Sequence, residues 1–297
     1  MSASFFLKGS KSMEHISSAS NQRIRRVLEL SSRARERRRE KAFVIEGARL
    51  FADTPEEFLV ETFVTGAFLE GAEERIREKA ERCGGVLVTP ELLRKMSDTQ
   101  TPQGVIGIVR MPEWTMEDLL SDNPLILVLE NIQDPGNLGT MVRTAEAAGA
   151  SGILMSRDTV DLFNPKTVRS TMSGIFRLPA LVSEDLFASL DLLKERGVTS
   201  FAAHLGGEAA YDRLSYTGPS AFLIGNEGNG LTEELSRKAD RKLLIPMHGR
   251  IESLNAAMAA GILLYEADRQ RRSETCFIRG RGKKENAGTE NFVFFLT

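Results

Sequence analysis

Three short turns rich in glycine and asparagine carry the residues best suited to chemistry: DPGNLG at 134–139, GNEGNGL at 225–231 and PMHGRIESLN at 246–255. Each follows an apolar run of strand character. In an open parallel sheet ligands bind at the carboxyl ends of the strands, so three such turns imply one shared site. They contribute the carboxamides of Asn137 and Asn255, the hydroxyl of Ser253 and the carboxylate of Glu227, and Arg143 follows in the segment after the first turn. Carboxamides orient their neighbours, a carboxylate holds a cation, and a guanidinium stabilises developing negative charge or clamps a phosphate. Taken singly, each turn also has the makings of an ordinary strand-to-helix loop, and an arginine on a polar helix face is usually only solvated. The glycines spell neither G-x-G-x-x-G nor G-x-x-x-x-G-K-[ST], so a dinucleotide fingerprint and a phosphate-binding loop are both unsupported.

These residues need elements to position them. From residue 125 the runs LILVLE, GILM, TSFAA, AFLIG and LLIP are short and continuously apolar, with helical segments between them, which is the pattern of parallel strands buried on both faces. Leu138, Met141, Val142 and Ala145 recur at helical spacing, predicting a helix over 137–148 with Asn137 as its cap and Arg143 off its apolar stripe. LTEELSRKAD reads as a helix capped by Thr232, with Glu233 and Glu234 at its start and Arg237 and Lys238 at its end. The segment from about Ser253 to Gln270 is apolar nearly all round and rich in alanine, which predicts a helix in a packed interface. Upstream, AFVIEG, FLVETFVTG, GVLVTP and GVIGIVR read as strands around a helical EGAEERIREKAERC. The expected organisation is therefore an α/β chain with a small N-terminal domain at 15–112, a linker at 113–123, a larger domain at 124–272 and a tail at 273–297.

Composition limits the classes of function. The 297 residues are 41% hydrophobic and 27% charged, the balance of a globular protein, and a formal charge of -2 supplies no overall attraction to nucleic acid. Cys83 and Cys276 have no paired spacing, and His15, His204 and His248 lack metal-ligand spacing, so neither a disulfide framework nor a metal site is expected. Residues 1–14 read as a loose leader too short in apolar residues for a signal core or a membrane span. A cytoplasmic protein fits.

DPGNLGTMVRTAEAAGA, FLIGNEGNGL and IPMHGRIESLNAAMAAGILLYE, in this order, resemble the three motifs of the SpoU or TrmH-like branch of the SPOUT RNA methyltransferases. ISSASNQRIRRVLELSSRARERRREKAFVIEGARL resembles the substrate-binding domain of its ribosomal RNA members. The resemblance spans roughly residues 15–272. It implies a ribosomal-protein L30e-like N-terminal domain, a SPOUT domain with a deep trefoil knot, a homodimer, and S-adenosylmethionine-dependent methylation of an RNA ribose 2′-hydroxyl. It further implies that Gly225, Gly230, Ile245, Met247 and Leu254 hold the cofactor, largely through backbone groups, and that Arg143 acts on the hydroxyl, as a base or as an electrostatic stabiliser, with Asn137, Glu227, Ser253 and Asn255 around it.

NPKTVRSTMSGIFRLP resembles a fourth family stretch in which Lys166 and Arg169 face RNA, although Thr171 and Ser173 stand where serine and glycine are frequent. RARERRREK, containing Arg37, Arg38 and Arg39, and the preceding Arg23, Arg25 and Arg26 form a local positive run suited to phosphate, although such runs are more often solvated helix faces. Ribosomal RNA is the expected substrate. The alternatives are a transfer RNA methyltransferase, or a noncatalytic RNA-binding or ribosome-assembly factor of the same fold.

Overall fold

The computed structural model describes residues 13–280, with side chains described through Ser273. Residues 1–12 of the expected leader, the Cys276 side chain and the end of the tail, including FVFFL, lie outside the described residues and side chains, whereas Glu14, expected in the leader, begins a strand.

Two sheets divide the chain. The first is built from β1 (Glu14–Ile16), α1 (Gln22–Ser32), α2 (Ala34–Glu40), β2 (Ala42–Glu46), α3 (Ala48–Asp53), β3 (Leu59–Val64), α4 (Gly66–Gly71), α5 (Glu74–Arg82), β4 (Gly85–Val88), α6 (Pro90–Met96) and β5 (Val105–Arg110). Its strand order is β1-β4-β3-β5-β2, with β5 antiparallel to both β3 and β2 and the rest parallel. Ile24, Val27 and Leu30, at helical spacing on α1, are fully buried with Phe63, Val86, Ile106 and Ile108 of the sheet. Asn21 starts α1 by accepting from the Arg23 N–H at 2.8 Å, and Lys41, left-handed at φ 49°, ends α2 and turns the chain into β2.

The second sheet is built from α7 (Met116–Leu119), β6 (Leu125–Leu129), α8 (Pro135–Ala147), β7 (Gly152–Ser156), α9 (Pro165–Ser170), β8 (Ala180–Ser183), α10 (Leu186–Glu195), β9 (Thr199–Ala203), β10 (Ala209–Ala210), β11 (Ser220–Ile224), α11 (Glu233–Lys238), β12 (Arg241–Leu244) and α12 (Ala256–Gly280). Every pairing is parallel, in the order β10-β12-β9-β11-β6-β7-β8. LILVL and SAFLI are buried at every position because helices cover both faces, which is why these strands show no alternation. From β6 the chain moves toward β7 and β8 on one side, while β11, β9 and β12 lie on the other. The crevice at the carboxyl ends of β6 and β11 is therefore the topological switch point.

Three expectations need correction. Helix α8 begins earlier than Asn137: Asp134 caps it by accepting from the Asn137 N–H at 2.8 Å, with Pro135 in its first turn, so the Asn137 side chain is released for other work. The expected linker holds α7, opened by a Thr115–Asp118 capping box, and its Leu119 is fully buried against β7. Helix α12 starts at Ala256 and continues to Gly280, past the expected start of the tail.

The two sheets share an interface built on α9 and β2. Phe43 meets Phe163 at 4.9 Å and Phe176 at 6.0 Å between ring centroids, and Arg37 reaches Asp161. Met172 and Ser173 both sit at positive φ; Ser173 offsets some of that strain by donating its hydroxyl to Asp53 across the interface at 3.1 Å. Among the described residues no helix is long and apolar enough to cross a membrane.

Candidate active site

The three turns meet at the switch point, and hydrogen bonds join them. Glu227 accepts from the Gln133 N–H (3.1 Å), the Asp134 N–H (3.1 Å) and Asn137 Nδ2 (2.9 Å). Asn137 Oδ1 accepts from Asn255 Nδ2 at 2.9 Å, and Asn255 Oδ1 accepts from the Ala257 and Met258 N–H groups that open α12. The chemistry sets every amide orientation. Asn255 must turn its oxygen to the helix donors, which leaves its nitrogen for Asn137, and Asn137 then has only its nitrogen to give a carboxylate that can do nothing but accept.

Burial alone would raise the Glu227 carboxyl, but the Asn137 side chain and the backbone N–H groups outweigh it and hold the group below the ordinary carboxylate value of 4.5. A depressed folded pKa contributes stability that is present above the unfolded value and is lost as pH falls through the folded one. Thermal midpoints of wild type and Glu227→Gln should therefore differ by a constant amount above about pH 6 and converge as pH falls toward about pH 3. A difference that does not change with pH would remove the carboxylate from this role.

The turn after β11 closes on itself. Asn226 and Gly230 exchange backbone hydrogen bonds at 3.0 and 2.8 Å, Gly230 takes φ +70°, and Asn226 Oδ1 accepts from the Gly228 and Asn229 N–H groups. A Cβ on Gly225 would lie 2.1 Å from the Gly230 carbonyl carbon, so only glycine permits this loop. Beyond β12 the chain runs open: residues 246–254 make no hydrogen bond among the described residues, backbone or side chain. Ile245 and Met247 are half-buried there and Leu254 is 38% exposed. A segment with unpaired backbone donors and acceptors, flanked by apolar side chains and a glycine-tight turn, fits a ligand held by main-chain groups. Those residues suit S-adenosylmethionine, whose adenine and ribose offer hydrogen-bonding edges.

Arg143 is not part of this cluster. It lies six residues after Asn137 on α8, about 9 Å further along the helix axis and roughly 120° around it. Together with Thr140 and Ala147 it forms an exposed stripe and has no hydrogen-bond or ion-pair partner among the described residues. Ser253 is likewise exposed and without a partner. Asp134 was missed, although Asp before Pro is a recognisable helix start. Asn226 was missed as well; its Nδ2 ties the second turn to the Asn131 carbonyl at 2.8 Å.

The expected RNA-facing arginines divide. Arg37 is a correction: it is 3% exposed, with Nε and Nη2 on Asp161 Oδ2 at 2.9 and 2.6 Å and Nη1 on the Leu30 carbonyl at 2.7 Å, so it holds the two sheets together. Arg23 pairs with Glu14 and Glu61, Arg26 with Glu40, and Arg39 with Glu36 and Glu40. Arg25 and Arg38 are exposed and have no partner among the described residues. Lys166 lies 3.5 Å from Asp134, against the start of α8, and Arg169 donates to Asp98 at 2.8 Å. Among the described residues no group of His, Cys, Asp and Glu is placed to hold a metal.

A small sheet joined to a parallel sheet with this switch-point cluster fits the class that the matching families and relatives show, an S-adenosylmethionine-dependent RNA ribose 2′-O-methyltransferase of the SPOUT type with a separate domain for substrate. The model of the SpoU rRNA methylase family matches residues 124–265, and that of the MRM3-like substrate binding domain matches residues 21–107. The 23S rRNA (guanosine(2553)-2′-O)-methyltransferase RlmP of Bacillus subtilis is 35% identical over 256 residues, covering 85% of this chain and 98% of that one. The mitochondrial rRNA methyltransferase 3 of Mus musculus is 30% identical, covering 80% of this chain and 69% of that one. The SpoU methyltransferase AviRb of Streptomyces viridochromogenes, solved in complex with AdoMet, is similar at a TM-score of 0.76 and 27% identity, over 85% of this chain and 99% of that one. The chain belongs to the SpoU rRNA methylase family.

Proposed function

We propose that the protein methylates a ribose 2′-hydroxyl of large-subunit ribosomal RNA. The observation that carries this reading is the Asn255–Asn137–Glu227 chain of hydrogen bonds, which locks all three motif turns together beside the open backbone of 246–254. The substrate class is supported by RlmP, which is named for 23S rRNA.

Bound S-adenosylmethionine supplies an electrophilic methyl group on a sulfonium. The chain's own residues do the rest. Asn137, Glu227 and Asn255 fix the relative positions of the turns, so little reorganisation is needed as charge shifts. The Arg143 guanidinium stabilises the negative charge that grows on the 2′-oxygen as its proton leaves for solvent. Because Arg143 points away from its own cluster, we place it at the face of a second copy. On α12, Met258 (60% exposed), Ile262 and Tyr265 (49% exposed) form an apolar stripe, and α12 packs beside α8. A homodimer through this face would bury the stripe and bring Arg143 to the two-fold axis.

The trefoil knot and the L30e-like character of the first domain are part of the same reading. The knot is supported by the course of residues 245–255, which leave β12 near one edge of the sheet and return to α8 over its centre, and the first domain's character by its mixed five-stranded sheet covered by short helices. We also keep the domain limits of 15–112 and 124–272, and a cytoplasmic site of action.

The test is methyl transfer from labelled S-adenosylmethionine to ribosomal RNA and, separately, transfer RNA from a strain lacking the protein, followed by mapping of 2′-O-methyl positions. One new position in large-subunit RNA is the expected result. A position in transfer RNA would overturn the substrate. Transfer to neither, with cofactor bound, would favour the noncatalytic alternative.

A further inference from the structure

A cavity of about 330 Å³ opens between the two sheets, its wall partly apolar through Leu50 and Met172, with Glu46, Arg49, Thr101 and Gln103 on one side and Arg169 and Ser173 on the other. Its acceptors are already engaged. Glu46 takes hydrogen bonds from the Ser97 and Thr99 hydroxyls and the Asp98 N–H, and Gln103 Oε1 takes the Ala48 N–H at 2.8 Å. Its donors are not. Arg49 is exposed and has no partner among the described residues, Arg169 Nη1 is buried without a hydrogen-bond partner, and Gln103 Nε2 is free. Asp98 engages only the Nη2 side of Arg169, and Arg49 has no ion-pair partner within 4.0 Å among the described residues, the Glu46 carboxylate in the same cavity being taken up by the Ser97, Asp98 and Thr99 donors.

A site whose free groups are nearly all donors, two of them guanidinium, fits a ligand that is anionic and only accepts hydrogen bonds. No aromatic ring lines the cavity, so nothing there stacks a base. The cavity also lies close to the reaction centre. Lys166, at the start of α9, contacts Asp134 beside the catalytic turn, and Arg169 comes one helical turn later, about 4.5 Å along the axis. We infer that this cavity binds a backbone phosphodiester of the RNA substrate, close to the nucleotide being methylated, with Arg49 from the substrate-binding domain and Arg169 from the methyltransferase domain as a two-sided clamp. This rests on the RNA reading given above.

Arg49 is the residue to test, because its lack of partners lets the variant fold, whereas removing Arg169 would leave Asp98 unpaired. Full-length Arg49→Ala should bind a ribosomal RNA transcript about tenfold more weakly, with the slope of log affinity against log salt reduced by about 0.7–0.9. S-adenosylmethionine affinity by calorimetry should be unchanged, and Arg49→Lys, which keeps the charge, should restore the slope. Unchanged affinity and slope would overturn the inference, as would weaker binding with an unaltered slope, since the lost contact would then not be to phosphate. Neither readout needs turnover. Failure of methyl transfer by the wild type would therefore count against the reaction and leave this result interpretable.

Discussion

Arg143→Ala should slow methyl transfer by about 10²–10³-fold, the loss expected when one preorganised group facing a developing oxyanion is removed. The variant should melt at the wild-type temperature, because Arg143 is exposed and holds nothing in its own chain. Its cofactor affinity should also be unchanged, since the residues fitted to the cofactor lie on other turns. Arg143→Lys keeps the charge but loses the planar fork and should recover only part of the rate. Single-turnover kinetics with saturating RNA reads this directly. A rate within about twofold of wild type would remove Arg143 from the reaction and leave it a solvated surface residue.

Arg37→Ala should have the opposite profile, with a large loss of stability and no specific loss of RNA contact. With only 3% of Arg37 exposed, its guanidinium satisfies Asp161 in the second domain and the Leu30 and Ser31 carbonyls at the end of α1. Removing it strands a carboxylate and two carbonyls in the interface, a cost of about 3–5 kcal/mol. Arg37→Met fills the same space, and a paired Arg37→Met, Asp161→Leu variant, which leaves no orphan charge, should be markedly more stable than Arg37→Ala. Denaturant midpoints separate these cases. The salt dependence of RNA binding should not change in Arg37→Met, whereas removing the exposed Arg25 and Arg38 should flatten it by about 0.7–0.9 per charge. A flattened slope in Arg37→Met would return Arg37 to the RNA surface.

The difference between these two arginines marks how far the sequence could be read. Both stand in helices and both are plausible from type and spacing. Arg143 was separable because the apolar stripe of Leu138, Met141, Val142 and Ala145 excludes it, and periodicity within one helix is local information. Arg37 was not separable, because its partner Asp161 lies 124 positions away. A charge run gives no sign of which member turns inward. Asn137 shows the same limit at shorter range. Helix propensity marks it as a cap, but Asp134 with Pro135 outcompetes it, and the freed carboxamide then bridges residues 90 and 118 positions distant.

The sequence alone determined the elements and the inventory of reactive groups: continuously apolar strands, glycine turns after them, capped helices between them, and the order of the three motifs. Those follow from side-chain periodicity and backbone freedom, which act over a few residues. Tertiary structure decided which groups meet. It joined Asn255, Asn137 and Glu227, left Arg143 exposed without a partner among the described residues, and set Arg49 opposite Arg169 across two domains. Those outcomes depend on sheet order and on burial of charge against distant partners, and a linear chain carries no local signal for either.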